Sequence, residues 1–164
     1  MDASQEFSDD LEVSTEQTQE LLSRFIIGYG GFENMIITAR SWREKVQEAL
    51  AELSNQGINL FDTNYQAVAN TNPQKYTVSY AQVFEKVIQP IIDQFVKERP
   101  DFIYALPIDK NGYAPIHHAH LSKPMTGDVE ADTLHSRHQK IYNNNRAEVR
   151  RAKNTEPFLL QTYI

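Results

Sequence analysis

Between Phe32 and Leu53 the apolar residues return at three- and four-residue steps, and this spacing constrains the fold more than any other feature of the chain. Phe32, Met35, Ile36, Ala39, Trp42, Val46, Ala49, Leu50 and Leu53 share one helical face, while Glu33, Arg40, Arg43, Glu44 and Glu48 fall mostly elsewhere. The pattern predicts an amphipathic helix ended by Asn55-Gln56-Gly57, about 35 Å long at about 1.5 Å per residue. A helix of that length either belongs to a helical stalk or dimer face, or lies across the domain's own sheet. Ahead of it, Ser14 and Gln17 have capping-box spacing, and Leu21, Leu22, Phe25 and Ile26 form a shorter apolar stripe. Gly28, Gly30 and Gly31 are expected to break or bend the helical run there. Residues 1–13 carry five acidic groups and read as a frayed tail.

A second amphipathic helix is expected through Tyr80, Val83, Phe84, Val87, Ile88, Ile91, Ile92 and Phe95, ended at Arg99-Pro100. Pro90 lies inside it, so a bend or two abutting helices are expected. The stretch between these helices, 58–77, is irregular, with turn signals at Asn64, Asn70, Asn72 and Pro73. Beyond them the composition becomes β-prone. Phe102 to Ile108, the tight turn Asp109-Lys110-Asn111-Gly112, and Tyr113 to His117 read as a hairpin, with Pro115 placing the second strand at an edge or ending it early. A loop over 121–128 leads to a polar helical stretch from Val129 to about Arg151, interrupted around Asn143-Asn144-Asn145. Pro157 to Tyr163 reads as a last strand. The fold class is α+β: an antiparallel sheet flanked by helices, with long helices at the N-terminal side.

At 164 residues the chain has room for one domain with flanking helices. Hydrophobic residues make up 40% and charged residues 23%, as in folded globular proteins rather than disordered ones. The formal net charge of −6 argues against nucleic acid or an anionic membrane surface as the main partner, because both select a positive footprint. The absence of cysteine excludes disulfides, thiol nucleophiles, thioether-attached haem, iron–sulfur clusters and cysteine zinc sites within these residues. No apolar run approaches the roughly 20 residues of a membrane-spanning helix, and the N-terminal residues do not resemble a secretory signal. A cytoplasmic setting is therefore the expectation for this chain.

The five histidines are the residues most capable of chemistry. His117, His118 and His120 fall in one cluster; His135 and His138 stand at i and i+3 and would share a helical face. They admit a haem or metal site as an alternative to hydrogen-bonded or solvated histidines, although no HExxH or other specific ligand spacing is present. No Gly-x-Ser-x-Gly elbow or Walker loop occurs, and no paired acid and base can be nominated, so an enzyme is not expected. Arg146, Arg150, Arg151 and Lys153 form a basic cluster that is either a solvated face or an anion contact. Tyr104, Tyr113 and Tyr163 fall on expected strands, where a hydroxyl can reach a pocket.

Three stretches carry a resemblance: Asp109-Lys110-Asn111-Gly112-Tyr113-Ala114-Pro115-Ile116-His117, then Ser122-Lys123-Pro124-Met125-Thr126-Gly127-Asp128, then Asn154-Thr155-Glu156-Pro157-Phe158-Leu159-Leu160-Gln161-Thr162-Tyr163. In order and spacing they resemble the D-x-N-G-Y-x-P-x-H-N, S-x-P-x-T-G-D and R-N-T-x-P-F-L-L-Q-T-Y motifs of a domain in bacterial methyl-accepting chemotaxis proteins, whose R-x-x-K-R-I-F motif, ahead of the last of these, is matched in part from Arg137. Trp42-Arg43, Gly57-Ile58-Asn59-Leu60-Phe61-Asp62, Tyr65 and Thr71-Asn72-Pro73 match what precedes these motifs, so the resemblance covers roughly residues 32–163. It implies a PAS/Cache-like sensor core over 58–164, preceded by a helical segment over 14–57. In such a domain a small ligand or cue occupies a pocket between sheet and helices, and packing changes pass through a helix to kinase-controlling regions outside this chain. Carried over by motif position, Tyr113, His117, Arg137, Asn154, Gln161 and Tyr163 are the candidate ligand-binding or framework residues. The other readings are a haem- or metal-binding redox sensor and a ligand-free dimerisation module.

Departures accompany the likeness. His118 stands where the family has Asn, and Tyr142-Asn143-Asn144 replaces a Phe-Asp-Asp type ending. Family members continue past this point with further strands, and the methyl-accepting helices are absent. The core is therefore expected to be cut before its last strands, and the exposed strand at 158–164 to pair with another chain, giving a homodimer.

Overall fold

The computed structural model describes residues 30–162 and divides at Lys45/Val46 into two compact units. The expected tail over 1–13, the helix beginning at Ser14, Gly28 and Tyr163 lie outside the described residues. Helix α1, Gly30–Asn55, is the predicted long amphipathic helix, and Gly30 and Gly31 lie in its first turn; the run ahead of them, where the break was expected, lies outside the described residues. Trp42, in the described part of the first unit, is buried, and Leu53, in the second, is buried too. The helix ends in a Schellman motif. Gly57 takes φ +85°, its N–H donates to the Ser54 carbonyl at 3.0 Å, and the Ile58 N–H donates to the Leu53 carbonyl at 3.1 Å. Only a residue that tolerates left-handed φ can close the last carbonyls in this way, which is why the stop falls at the glycine.

The second unit is α+β. Strands β1 (Gln66–Ala67) and β2 (Tyr76–Thr77) pair antiparallel, Gln66 opposite Thr77 and Ala67 opposite Tyr76. They add a short ladder to a stretch expected to be irregular. The loop between them is held by the Thr71 hydroxyl, which donates to the Val68 carbonyl at 2.8 Å and accepts from the Lys75 N–H at 2.9 Å. Its Asn72–Pro73 peptide is cis.

Helix α2, Ala81–Glu98, buries Ala81, Phe84, Ile88, Ile92 and Phe95 at the predicted steps. It is one unbroken element through Pro90, so of the two expected outcomes, a bend or two abutting helices, the second does not occur. Pro90 sits on the exposed side, where the carbonyl it leaves without a helical donor can be hydrated.

The expected hairpin is only half present. The turn forms: Gly112, at φ +84°, donates to the Asp109 carbonyl at 3.0 Å, and the Asp109 N–H donates to the Tyr113 carbonyl at 3.0 Å. Strand β3, Tyr113–Ala114, stops before Pro115 as expected, but its partner is β4, Lys140–Ile141, in antiparallel register Tyr113 to Ile141 and Ala114 to Lys140. Residues 102–108 form no strand. Pro107 has no N–H to give, and the Ala105 N–H is engaged by the His118 ring, Nε2 accepting at 3.0 Å.

The polar stretch after Gly127 is also not one interrupted helix. Helix α3, Val129–His135, is capped by Asp128, whose carboxylate accepts from the Ala131 N–H. Helix α4, Arg146–Ala152, is capped by Asn145, which accepts from the Glu148 N–H. Between them the chain turns to β-type pairing. Ser136 bridges to Ser122, Arg137 donates to the Leu121 carbonyl at 2.8 Å, Gln139 takes φ +57°, and β4 follows. Residues 157–162 form no strand, against expectation. Phe158 and Leu160 remain 53% and 55% exposed. Among the described residues no helix is long and apolar enough to cross a membrane.

Candidate ligand cleft

Within the second unit a cleft of about 720 Å³ opens between the last turns of α1, the 60–63 loop, the start of α2 and the 107–111 turn. Its walls are mainly apolar: Leu50 and Ala51 from α1, Leu60 and Phe61, Tyr80 and Phe84, and Pro107, Ile108 and Pro115 from the segment around the turn. Phe61 is 89% exposed, a large apolar side chain at the edge of this hollow. The volume falls in the range of small-molecule sites, roughly 300–1,000 Å³.

The rim is built on two carboxylates. Asp62 accepts from the Asn64 N–H and the Ser79 N–H, both at 2.9 Å; a hydrogen bond from the Ser79 side chain, followed by these two, holds its carboxyl below the usual carboxylate range. Asp109 accepts from the Asn111 N–H at 2.8 Å and the Tyr113 N–H at 2.9 Å, which orders the turn, and from the Tyr65 hydroxyl. Burial, then that bond to Asp109, pushes the Tyr65 phenol up to about 12. Asn111 donates its side-chain amide to the Tyr65 oxygen at 2.8 Å, and the Tyr65 ring lies 5.0 Å from that of Tyr113. A smaller hollow of about 260 Å³ shares Lys110 and Asn111 with the cleft and is also lined by Asn143, Val149, Ala152 and Lys153.

The sequence-predicted residues lie elsewhere. Tyr113 is 0% exposed and donates its hydroxyl to the Tyr76 carbonyl at 2.8 Å, tying β3 to β2. His117 is buried, and its Nδ1 accepts from the His118 N–H at 2.8 Å. Burial, helped by the neighbouring His118 and Arg137, lowers its pKa to about 3. Arg137 donates through Nε to the Leu134 carbonyl at 2.8 Å, and its own carbonyl accepts from the Tyr142 hydroxyl at 2.7 Å. Asn154 folds back on Glu156, and Gln161 donates to the Ala147 carbonyl at 3.1 Å. Tyr163 is outside the described residues. His117 and Arg137 are thus brought close enough to interact, but none of these five residues lines the cleft. The residues that do, above all Phe61, Lys110 and Asn111, lay within the quoted Gly57–Asp62 and Asp109–Gly112 stretches. An aromatic residue amid turn-forming polar residues was the available signal.

The His117, His118 and His138 rings make hydrogen bonds within the protein. His118 is 0% exposed; with Nε2 accepting from Ala105, Nδ1 carries the proton and faces Asp93 at 2.8 Å. His120 stacks on it with ring centroids 5.9 Å apart. Helix α3 ends at His135, so the helical i, i+3 face proposed for His135 and His138 does not exist. His138 instead meets the buried Lys75, whose ammonium donates to the His138 carbonyl at 2.6 Å and the Ser136 carbonyl at 3.2 Å. Burial and this lysine lower the His138 pKa to about 4. Among the described residues no group of three or more His, Asp or Glu is placed to hold a metal ion. Asp132, also buried, accepts from the Thr126 N–H and hydroxyl and the Gly127 N–H, fixing the Ser122–Asp128 stretch to α3.

Comparison with protein-family models, curated proteins and solved structures finds no match for this chain.

Proposed function

We propose that this chain is the ligand-sensing input domain of a methyl-accepting chemotaxis receptor, a binding module of PAS/Cache-like type and not an enzyme. The observation that carries the reading is a convergence. Two separate stretches of the resemblance, Leu60-Phe61-Asp62 and Asp109-Lys110-Asn111, meet at the rim of one cleft of small-molecule size. Leu50, Ala51 and Ser54 of α1 form part of the same wall, so an occupant would touch the long helix itself. Repacking of that helix is the proposed route by which binding reaches kinase-controlling helices outside this chain. The proposal includes a homodimer in the cytoplasm, its helices shared with the signalling machinery.

Thermal unfolding of the chain against a panel of small organic metabolites tests the reading. A ligand at roughly 100 times its dissociation constant adds about 2.7 kcal/mol, a shift of several degrees. Ala51→Trp, placing a large side chain on the exposed helix face that walls the cleft, is expected to abolish the shift while leaving the unliganded protein folded. A panel with no stabilising member, or a shift that survives Ala51→Trp, would count against ligand sensing at this cleft.

A further inference from the structure

The polar groups around the cleft are not equivalent, and the difference selects among ligands. Asp62 and Asp109 look at first like a site for an organic cation. Both are already committed to the protein: Asp62 accepts two backbone N–H groups, and Asp109 accepts two backbone N–H groups and the Tyr65 hydroxyl. A ligand ammonium would have to share these lone pairs with groups that hold the 60–64 loop and the 109–113 turn in place. Lys110 is the opposite case. Its ammonium is exposed and has no hydrogen-bond or ion-pair partner among the described residues, and it is the one cation in the cleft wall.

Lys110 and Asn111 also line the smaller hollow, where Lys153 supplies a second ammonium and Asn143 an amide, and where no carboxylate contributes to the wall. The one free ammonium in the mainly apolar cleft wall, that of Lys110, is therefore shared with a second hollow that holds another ammonium and no carboxylate. An ammonium without a partner is best matched by an oxyanion, since a charge-assisted hydrogen bond is roughly twice as strong as a neutral one.

From this asymmetry we infer that the cleft takes an organic acid with an apolar body, the body against Leu50, Leu60, Phe61 and Phe84 and the acid group at Lys110, the one cleft-wall cation without a protein partner among the described residues. The inference rests on the reading of the cleft as a ligand site and assigns that ligand its chemical class.

Three probes with the same tail and different heads separate the possibilities: octanoate, octanol and octylamine, each titrated calorimetrically below its aggregation concentration. Octanoate is expected to bind about tenfold more tightly than octanol, the usual return on a hydrogen bond to a charged group. Lys110→Gln should remove about that factor for octanoate and leave octanol unchanged, and Lys153→Gln should remove less. Lys123→Gln, outside both linings, should change neither. Octylamine or octanol binding as tightly as octanoate would overturn the acid assignment while leaving a ligand site standing. So would failure of all three probes when some other metabolite stabilises the protein through the cleft. Failure of the probes and of the metabolite panel together would overturn the ligand-site reading as well.

Discussion

Gly112 shows how much one residue can decide. It sits at φ +84°, and a Cβ built there would lie 2.3 Å from the Tyr142 carbonyl oxygen, inside the β3–β4 pairing where Tyr142 donates back to the Gly112 carbonyl. Gly127 has a similar φ of +89° but open space around it. Gly127→Ala is therefore expected to lose only the left-handed penalty, about 1–2 kcal/mol, and Gly112→Ala that penalty plus displacement of a backbone strand, about 3 kcal/mol or more. Urea unfolding of the two variants checks the difference; equal losses would mean that the strand yields. Lys75 carries a pH dependence of unusual sign. Burial, helped by Lys140, lowers its pKa to about 8. A depressed folded pKa gives a contribution that is full above the unfolded value, about 10.4, and lost as pH falls through about 8. Stability should therefore climb between about pH 8 and 10, by at most about 3 kcal/mol, before the buried tyrosines begin to oppose it. Lys75→Met should flatten that climb, measured as urea midpoints at half-unit steps; an unchanged slope would reject the assignment to Lys75.

At the scale of elements, the sequence was most readable where one local signal acts alone. The stop at Gly57, the turn at Asp109–Gly112 and the end of β3 before Pro115 each follow from one residue's conformational preference, and the face of α2 from local apolar spacing. The misreadings occur where a distant group competes for the same backbone. The 102–108 arm is apolar and β-prone, yet His118 takes the Ala105 N–H, and the strand opposite Tyr113 comes from 140–141 instead. The stretch after α3 reads as polar helix, yet Ser122 and Leu121 draw Ser136 and Arg137 into bridges that helical periodicity does not encode. Site residues were missed for a related reason. Buried aromatic and histidine side chains attract attention in a sequence, whereas a turn lysine acquires meaning only from the hollow beside it. Pro90 gives an element-scale prediction. The helix runs through it without interruption, and the proline withholds an N–H that alanine would supply, so Pro90→Ala should stabilise by about 1–3 kcal/mol. A higher thermal midpoint with unchanged far-ultraviolet dichroism would bear this out; a lower one would mean that α2 is shaped around the ring.

For the molecule as a whole, what matters is how unevenly the apolar interior is distributed. Leu53, Val78, Tyr80, Phe84, Ile88, Ile92, Phe95, Tyr113 and Ile116 are buried and all belong to the second unit, whereas Trp42 is the one buried side chain among the described residues of the first. Apolar burial contributes roughly 25 cal/mol per Å², so the second unit holds most of the stabilising area that can be attributed to described residues. Helix α1 nevertheless passes from one unit into the other without a break. A continuous helix does not by itself make two units unfold together, because helical propensity is weak beside tertiary packing. Trp42 is the chain's single tryptophan and reports on the first unit, while the eight tyrosines include Tyr65, Tyr76, Tyr80, Tyr104, Tyr113 and Tyr142 in the second. Two optical probes therefore read two parts of one chain. Tryptophan fluorescence is expected to change at a lower urea concentration than tyrosine absorbance, a departure from two-state behaviour. Coincident transitions would show instead that α1 couples the units tightly, which is the property a helix needs if packing at Leu50, Ala51 and Ser54 is to be felt along its length.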